Sequence, residues 1–558
     1  MNTNSAVLVE HNLPCKLRDG TILYSNIYRP AAEGQYPVLL SRTPYNKDLP
    51  EFSHRYVDPF RLVRGGFVVV IQDVRGRFAS EGKFNPFVQE RKDGYDSVEW
   101  AGALPYCNGN VAMFGLSYYG YTQIYAAVEQ PPSLKAIAPA MTGSHLENGL
   151  LFRGGAFELA LFETWFLDSI APDIIDRSEG KNGGYNQVRE AVNSLNKWYK
   201  YKPVHLWPPA TATKELHDFF NTFIQPEEDW LNLSSVTEKL SELEIPAFHI
   251  GGWYDCFLGS TIENFEKMAQ SNKMQKLMIG PWGHGDFNPL IGDRFFGTHS
   301  SGNSIRHQQD LTDLHLHWFN DVFNKPAAAI PPVQIFVMGV DQWRTEREWP
   351  IKRTVYTPYY LHQQGQLRTD FPSINEASEK FCYDPEQPVP TTGGATLFYQ
   401  GINSGPCNQN GIAARPDVLT FTTPVLQRDV EITGPLKAVL WVSSNRKATD
   451  FTAALIDVFP DGTSYNLADG IIRLDPMEEN TPKQIEIDLW STSNVFFKGH
   501  AIRLHISSSN FPRYDCNPNT GSSMVESVKS IKAMQTIYYG KQYPSYILLP
   551  VMPEPEED

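Results

Sequence analysis

Three residue types able to act together on an acyl group stand where apolar runs of the chain end. Ser117 lies in Gly115-Leu-Ser-Tyr-Tyr-Gly120, directly after Val111-Ala-Met-Phe114. Flanking glycines permit a tight strand-to-helix turn that holds a serine hydroxyl above a sheet, with the following helix packed close behind. Such a hydroxyl is a poor nucleophile at neutral pH, so it needs a base within hydrogen-bond reach and a group that orients the base. Phe248-His-Ile-Gly-Gly-Trp-Tyr-Asp255 ends in an aspartate, and Leu277-Met-Ile-Gly-Pro-Trp-Gly-His284 ends in a histidine. Each residue also has a plainer reading. Ser117 reads equally as a serine in a glycine-bounded turn, because the second glycine comes one position later than in G-x-S-x-G. Asp255 reads as a helix cap and His284 as a hydrogen-bonded loop corner. Asp286 rivals Asp255 as the orienting carboxylate, although it sits in a Gly/Asn/Pro-rich loop, whereas Asp255 ends a core strand.

The order Ser117, Asp255, His284 is the order of an α/β-hydrolase. Acyl transfer further requires donors aimed at the oxyanion. The backbone N–H of Tyr118, next to the serine, is the expected first donor. Tyr45, in the loop Ser41-Arg-Thr-Pro-Tyr-Asn46, offers a phenol as the second, and packing explains that tyrosine equally well.

The elements that must position these residues alternate. Short, branched runs such as Pro37-Val-Leu-Leu-Ser41 and Phe67-Val-Val-Val-Ile-Gln-Asp73 suit strands buried on both faces, and the segments between them suit crossover helices. This predicts a mostly parallel α/β sheet over residues 1–145. Residues 146–240 change to Leu, Phe, Trp and Glu at helical spacing, as in 156–166, and predict an all-helical insertion. Strand runs return over 241–350, with a helix at about 305–323. Beyond 351 and up to 558, alternating segments between Pro, Gly and Asp turns predict a β-sandwich of jelly-roll type. The acidic end, Met552-Pro-Glu-Pro-Glu-Glu-Asp558, is expected to be disordered.

With 558 residues, 41% of them hydrophobic, the chain can fill several cores. Its net charge of -15 argues against a nucleic-acid partner. No run reaches membrane-span length, and the first ten residues lack the basic and apolar regions of a signal peptide, which predicts a cytoplasmic protein with no membrane partner. The six cysteines are scattered without a C-x-x-C pair, so reduced thiols are expected and no metal site is assigned. His315 and His317, two apart in a helical stretch, point to different faces.

The chain resembles the cocaine esterase-like hydrolases (the CocE/NonD group), relatives of the X-Pro dipeptidyl peptidases and the α-amino-acid ester hydrolases. The resemblance spans essentially the whole length. It rests on Arg42-Thr-Pro-Tyr-Asn-Lys47, Gln72-Asp-Val-Arg-Gly-Arg-Phe-Ala-Ser-Glu-Gly82, the G-x-S-Y-x-G turn at Ser117, Gly252-Trp-Tyr-Asp255, Gly280-Pro-Trp-Gly-His284 and Ile506-Ser-Ser-Ser-Asn-Phe-Pro-Arg-Tyr-Asp515. It implies an α/β-hydrolase domain with an inserted helical cap and a C-terminal jelly roll. It also implies Ser117 as nucleophile, His284 as base, Asp255 as its orienter, and Tyr45 as oxyanion donor beside Tyr118. Asp73, Arg75 and Glu81 read as structural. The expected reaction is cofactor-free hydrolysis of a small-molecule ester. The acyl pocket is expected beneath the cap, walled by Phe152, Phe162, Trp165, Phe166 and Phe257. An amide or β-lactam acylase and an X-Pro peptidase are the alternatives, and an inactive binding protein is the reading from another class. An exopeptidase would need an acidic site for the substrate amine. Glu158 and Glu163 lie in the cap segment, where acidic residues are expected to be a solvated face. The edges of a β-sandwich permit a homo-oligomer without requiring one.

Overall fold

The computed structural model describes residues 6–554 apart from 55, 148, 179–183, 272–273, 324–330, 398–403 and 524. Residues 555–558 of the acidic tail lie outside the described residues. The N-terminal α/β part is built on ten strands: β1 (Val7–Lys16), β2 (Ile22–Pro30), β3 (Tyr36–Thr43), β4 (Val68–Asp73), β5 (Cys107–Leu116), β6 (Leu134–Ala140), β7 (Ala247–Tyr254), β8 (Gln275–Gly283), β9 (Val333–Val337) and β10 (Gln342–Glu346). Their spatial order is β1-β2-β4-β3-β5-β6-β7-β8-β9-β10. Neighbours from β4 to β9 run parallel, while β1, β2 and β10 are antiparallel additions at the edges.

The branched run of β4 shows why the sheet is internal. Val68 and Val70 face one hydrophobic cluster with Val98 of α1 (Glu90–Gly102) and Ile124 of α2 (Tyr118–Ala127). Val69 and Ile71 face the opposite cluster, with Leu314 and Trp318 of a helix at Leu311–Phe323. The two-residue period of a strand thus divides one apolar run between two helical layers. That last helix starts later than the expected 305, because Arg306 and His307 adopt left-handed φ angles of 54° and 58°, which no helix accommodates. No helix among the described residues is long and apolar enough to cross a membrane.

Between β6 and β7 the chain is mainly helical, with helices at Leu159–Trp165, Ala171–Ser178, Gly184–Val192 and Lys214–Ile224. The helical pattern expected from residue 156 begins only at Leu159, because Phe152–Arg153 and Ala156–Phe157 form a two-stranded hairpin. Its tip, Gly154, has φ 52°, and a Cβ there would lie 2.0 Å from the Ile471 carbonyl oxygen of the C-terminal part. The hairpin is a docking element. Arg153 stacks 3.6 Å over the Trp490 ring and hydrogen-bonds the Tyr514 hydroxyl at 3.1 Å. The Phe157 N–H donates to Asp515 at 2.7 Å. Glu158 and Glu163, expected on a solvated face, are both buried; for Glu158 the correction follows from this docking. Glu158 faces the Arg513 guanidinium at 3.6 Å, and burial pushes its carboxyl up to about 7; burial also pushes Glu163 well above the usual carboxylate range.

The C-terminal part is β-rich. Ten of its strands follow one hydrogen-bonded path, from Ala377–Tyr383 at one end to Ser464–Leu474 at the other, and Lys483–Phe496 pairs off it with Val430–Ser444. Phe381 and Leu467, from the two ends, share one buried cluster with Leu440, Leu504 and Leu549. The path therefore folds over on itself around a single core. β9 runs into this part, where the Met338 N–H donates to the Ser493 carbonyl at 3.0 Å.

His249 and His315 are buried and held neutral, with burial lowering both to about 4. The Leu311 carbonyl can only accept, so His315 Nδ1–H donates to it at 2.7 Å, and Nε2 accepts from the Tyr56 hydroxyl at 3.2 Å. Both ring nitrogens are engaged, and His317 points to solvent. With folded-state values depressed below the unfolded value of about 6.5, the unfolded chain binds more protons between pH 6.5 and 4, so stability present above pH 6.5 is lost as pH falls through that window. Urea midpoints are expected to report a loss on the order of 2 kcal/mol per histidine between pH 7 and pH 5, and His315→Gln is expected to make the decline shallower.

Candidate active site

Ser117 closes β5 at the N-terminus of α2, with φ 60° and ψ −124°. A non-glycine residue in this region stores backbone strain that its surroundings must hold. Gly120 shows how: a Cβ there would lie 2.6 Å from the Thr142 side chain, so the late glycine of the motif lets α2 pack onto the loop after β6. The position of the missing glycine is filled by Tyr119, whose ring packs against Tyr45 with centroids 6.1 Å apart.

The carboxyl ends of β5, β7 and β8 bring Ser117, Asp255 and His284 together. Asp255 Oδ1 lies 2.7 Å from His284 Nδ1, and His284 Nε2 lies 3.0 Å from Ser117 Oγ. A carboxylate only accepts, so Nδ1 donates to it, which leaves Nε2 to accept from the serine hydroxyl. This tautomer can take a proton from Ser117. Asp286 is turned away, its Oδ1 accepting from the Asn288 backbone and side-chain amides at 3.2 and 2.6 Å. Beside the carboxylate, Cys256 Sγ stands 3.8 Å from Asp255 Oδ1. The Gly285 N–H donates to the Met141 thioether at 3.2 Å, holding the backbone after His284. Asp255, Cys256 and His284 place ligand-type atoms within 4.8 Å of one another. Burial pushes the Cys256 thiol well above its ordinary value and keeps it protonated, which makes this a poor metal cradle. All six cysteines carry free thiols.

Tyr118 is the first residue of α2, so its N–H has no intrahelical acceptor and opens at the serine. Its ring is anchored away from the site: the hydroxyl donates to Glu90 at 3.0 Å and accepts from the Phe87 N–H at 3.1 Å. Glu90 in turn pairs with the buried Arg42 guanidinium at 2.8 Å. The Tyr45 hydroxyl receives the Trp165 indole N–H at 3.0 Å, and burial pushes the phenol up to about 12. Asp73, Arg75 and Glu81 brace the surrounding loops. Asp73 accepts the Lys47 N–H at 2.8 Å, Arg75 pairs with Asp93 at 2.7 Å, and Glu81 accepts the Ile22 N–H at 3.0 Å.

A cavity of about 30 Å³ opens on Ser117, His284, Tyr45 and Tyr118, walled by Phe87, Tyr121, Leu150, Leu161, Trp165, Phe257 and Leu397. Of the five expected walls, Trp165 and Phe257 line it, the latter 5.2 Å from the His284 ring. Phe152, Phe162 and Phe166 do not. Leu161 and Trp165, four apart, share the helix stripe that faces the pocket, and Phe162 and Phe166 fall on the next stripe round. Phe162 packs on Phe220 and Phe223, Phe166 on Phe220 and Trp207, and Phe152 on Phe157 of its own hairpin. Tyr121, one turn beyond Ser117, was discoverable from helical spacing. Leu397 comes from the β-rich part and had no local signal. A larger cavity of about 470 Å³ lies between Tyr199, Lys202, Pro388 and Phe511 and shares no wall with this one.

Residues 19–286 match the family model of X-Pro dipeptidyl-peptidase (S15 family), and residues 326–548 match that of the X-Pro dipeptidyl-peptidase C-terminal non-catalytic domain. The chain is 37% identical to cocaine esterase of Rhodococcus sp. (strain MB1 Bresler), over 98% of each chain. Its structure is similar to that of an α-amino acid ester hydrolase, with TM-score 0.83 at 24% identity, covering 99% of this chain and 97% of the other. It is also similar to a CocE/NonD family hydrolase from Staphylococcus aureus, with TM-score 0.70 at 19% identity, covering 98% and 94%. A parallel α/β part followed by a β-rich part is thus shared architecture, and the chain, 37% identical to a cocaine esterase over 98% of its length, belongs to the cocaine esterase-like group of the S15 serine hydrolases.

Proposed function

We propose that the protein hydrolyses carboxylic esters of small, apolar acids through an acyl-enzyme on Ser117. The reading rests above all on the relay of 3.0 and 2.7 Å from Ser117 through His284 to Asp255. His284 takes the serine proton as Oγ attacks the ester carbonyl, and Asp255 stabilises the imidazolium that forms. The Tyr118 N–H and the Tyr45 hydroxyl bind the oxyanion. His284 then protonates the departing alkoxide, and a water deprotonated by the same imidazole releases the acid. The ten-stranded sheet is read as an α/β-hydrolase core, residues 146–240 as its cap, and residues 351–558 as a jelly roll.

The choice of ester over peptide follows from the pocket walls. Among the described residues that line it there is no aspartate or glutamate, so no carboxylate faces the cavity to receive a substrate α-amine. Glu158 and Glu163 are buried elsewhere, the first against Arg513. The X-Pro peptidase remains the second reading, favoured by the family descriptions matched over both parts of the chain.

A fluorophosphonate probe is expected to label the protein and to lose that labelling in Ser117→Ala. Asp255→Asn is expected to lower kcat by about 10⁴, whereas Asp286→Asn keeps kcat/KM within about twofold, since its carboxylate lies outside the relay. Across 4-nitrophenyl acetate, butyrate and decanoate, Gly-Pro-anilide and an amino-β-lactam, the uncharged short esters are expected to turn over fastest. Cleavage of Gly-Pro-anilide without ester turnover would overturn the assignment in favour of the peptidase.

A further inference from the structure

We infer that Trp165, from the helical insert, is a positioning residue for hydrolysis: its indole N–H occupies a lone pair of the Tyr45 hydroxyl and so turns the phenol proton toward the developing oxyanion. The inference rests on the reading of Tyr45 as an oxyanion donor.

The direction of this hydrogen bond is unambiguous. An indole N–H can only donate, so at 3.0 Å the Tyr45 oxygen is the acceptor. The phenol's single proton must then point elsewhere, and Ser117 is a side-chain hydrogen-bonding neighbour of that hydroxyl. Burial, which pushes the phenol up to about 12, keeps that proton in place at any pH where His284 works as a base. A donor fixed in direction before the reaction costs no reorganisation when charge develops, which is where such donors gain their effect.

Both partners of the bond are held by one buried guanidinium. Arg77 Nε donates to the carbonyl of Pro44, the residue before Tyr45, at 2.9 Å. Its two Nη atoms donate to the carbonyls of Ser169 and Ile170, at 2.8 and 3.1 Å. Those carbonyls belong to the π-helical turn Phe166–Ile170, which continues directly from Trp165. Asp173 balances the charge at 3.2 Å. A planar fork of five donors suits this task, because it fixes a loop and a helix at one distance and one angle. The insert therefore both walls the pocket and sets the direction of a donor in the site beneath it.

The test is a double-mutant cycle on 4-nitrophenyl butyrate, with phenylboronic acid as a mimic of the tetrahedral intermediate. Tyr45→Phe is expected to lower kcat by about 10². Trp165→Phe keeps an aromatic wall and removes the N–H. It is expected to lower kcat by about tenfold, to weaken phenylboronic acid by a similar factor and to leave KM within about threefold. The double variant is expected to match Tyr45→Phe alone, since without the phenol the indole has nothing to orient. Wild-type kcat in Tyr45→Phe would overturn the oxyanion reading itself. A crippled Tyr45→Phe beside an unaffected Trp165→Phe, a rise in KM alone, or losses that multiply in the double variant would overturn the role of Trp165 and leave that reading standing. If Trp165→Phe fails to fold, Trp165→His and Trp165→Leu carry the test. The ring N–H of histidine is expected to hold kcat within about threefold, leucine is expected to lose about tenfold, and equal losses refute the inference.

Discussion

The turn at Ser117 is the constraint on which the rest of the architecture depends. A serine at φ 60° can persist only where its neighbours over-determine it. Here the neighbours are a central strand, a helix with all ten residues buried, and Thr142 pressed against the bare backbone of Gly120. The same geometry opens the first N–H of α2 beside the serine and aims the hydroxyl at the ends of β7 and β8. Because those strands are parallel and lie two and three places along the sheet from β5, their carboxyl ends are the places from which an aspartate and a histidine can reach it.

Around that turn, buried guanidinium groups do the joining. Arg42 meets Glu90 behind Tyr118, Arg77 ties the Tyr45 loop to the helical insert, Arg153 of the hairpin pairs with Asp469 of the β-rich part, and Arg513 of that part faces Glu158 of the insert. Buried ion pairs contribute little net stability against well-packed apolar groups, because desolvation offsets the attraction. What a planar donor fork contributes is a defined distance and angle between elements far apart in sequence. A site assembled from the sheet, the insert and, through Leu397, the β-rich part depends on such joints.

The walls of the pocket set its chemistry as firmly as the relay does. Aromatic and aliphatic side chains surround Ser117, and Glu158 and Glu163 are buried away from the cavity walls. Such walls would penalise a free amine, which would lose its hydration there without a partner, and this is the physical ground for the proposed preference for an uncharged carbonyl compound.

The chain's own order of residues determined much of this. Branched runs such as 67–73 announce doubly covered strands because both faces must be apolar, and Ser117, Asp255 and His284 can be named because each stands directly after such a run. Periodicity also separates the helical insert from the alternating β-rich part. It misplaced the start of the insert's first helix, since Gly154-Gly155 forms a hairpin whose purpose lies at Ile471, more than three hundred residues away. It read Glu158 and Glu163 as solvated because burial of a carboxylate depends on which distant group covers it. It also offered Phe162 and Phe166 alongside Trp165, since helical spacing reveals that stripes exist and not which stripe faces the site. Residue type and local period thus determined which groups can do chemistry and which elements carry them. The end of a core strand already favoured Asp255 over Asp286, and the fold sets it 2.7 Å from His284; tertiary structure alone decided which side chains wall the cavity and which carboxylates are buried, because those outcomes depend on packing between segments whose separation along the chain leaves no local trace.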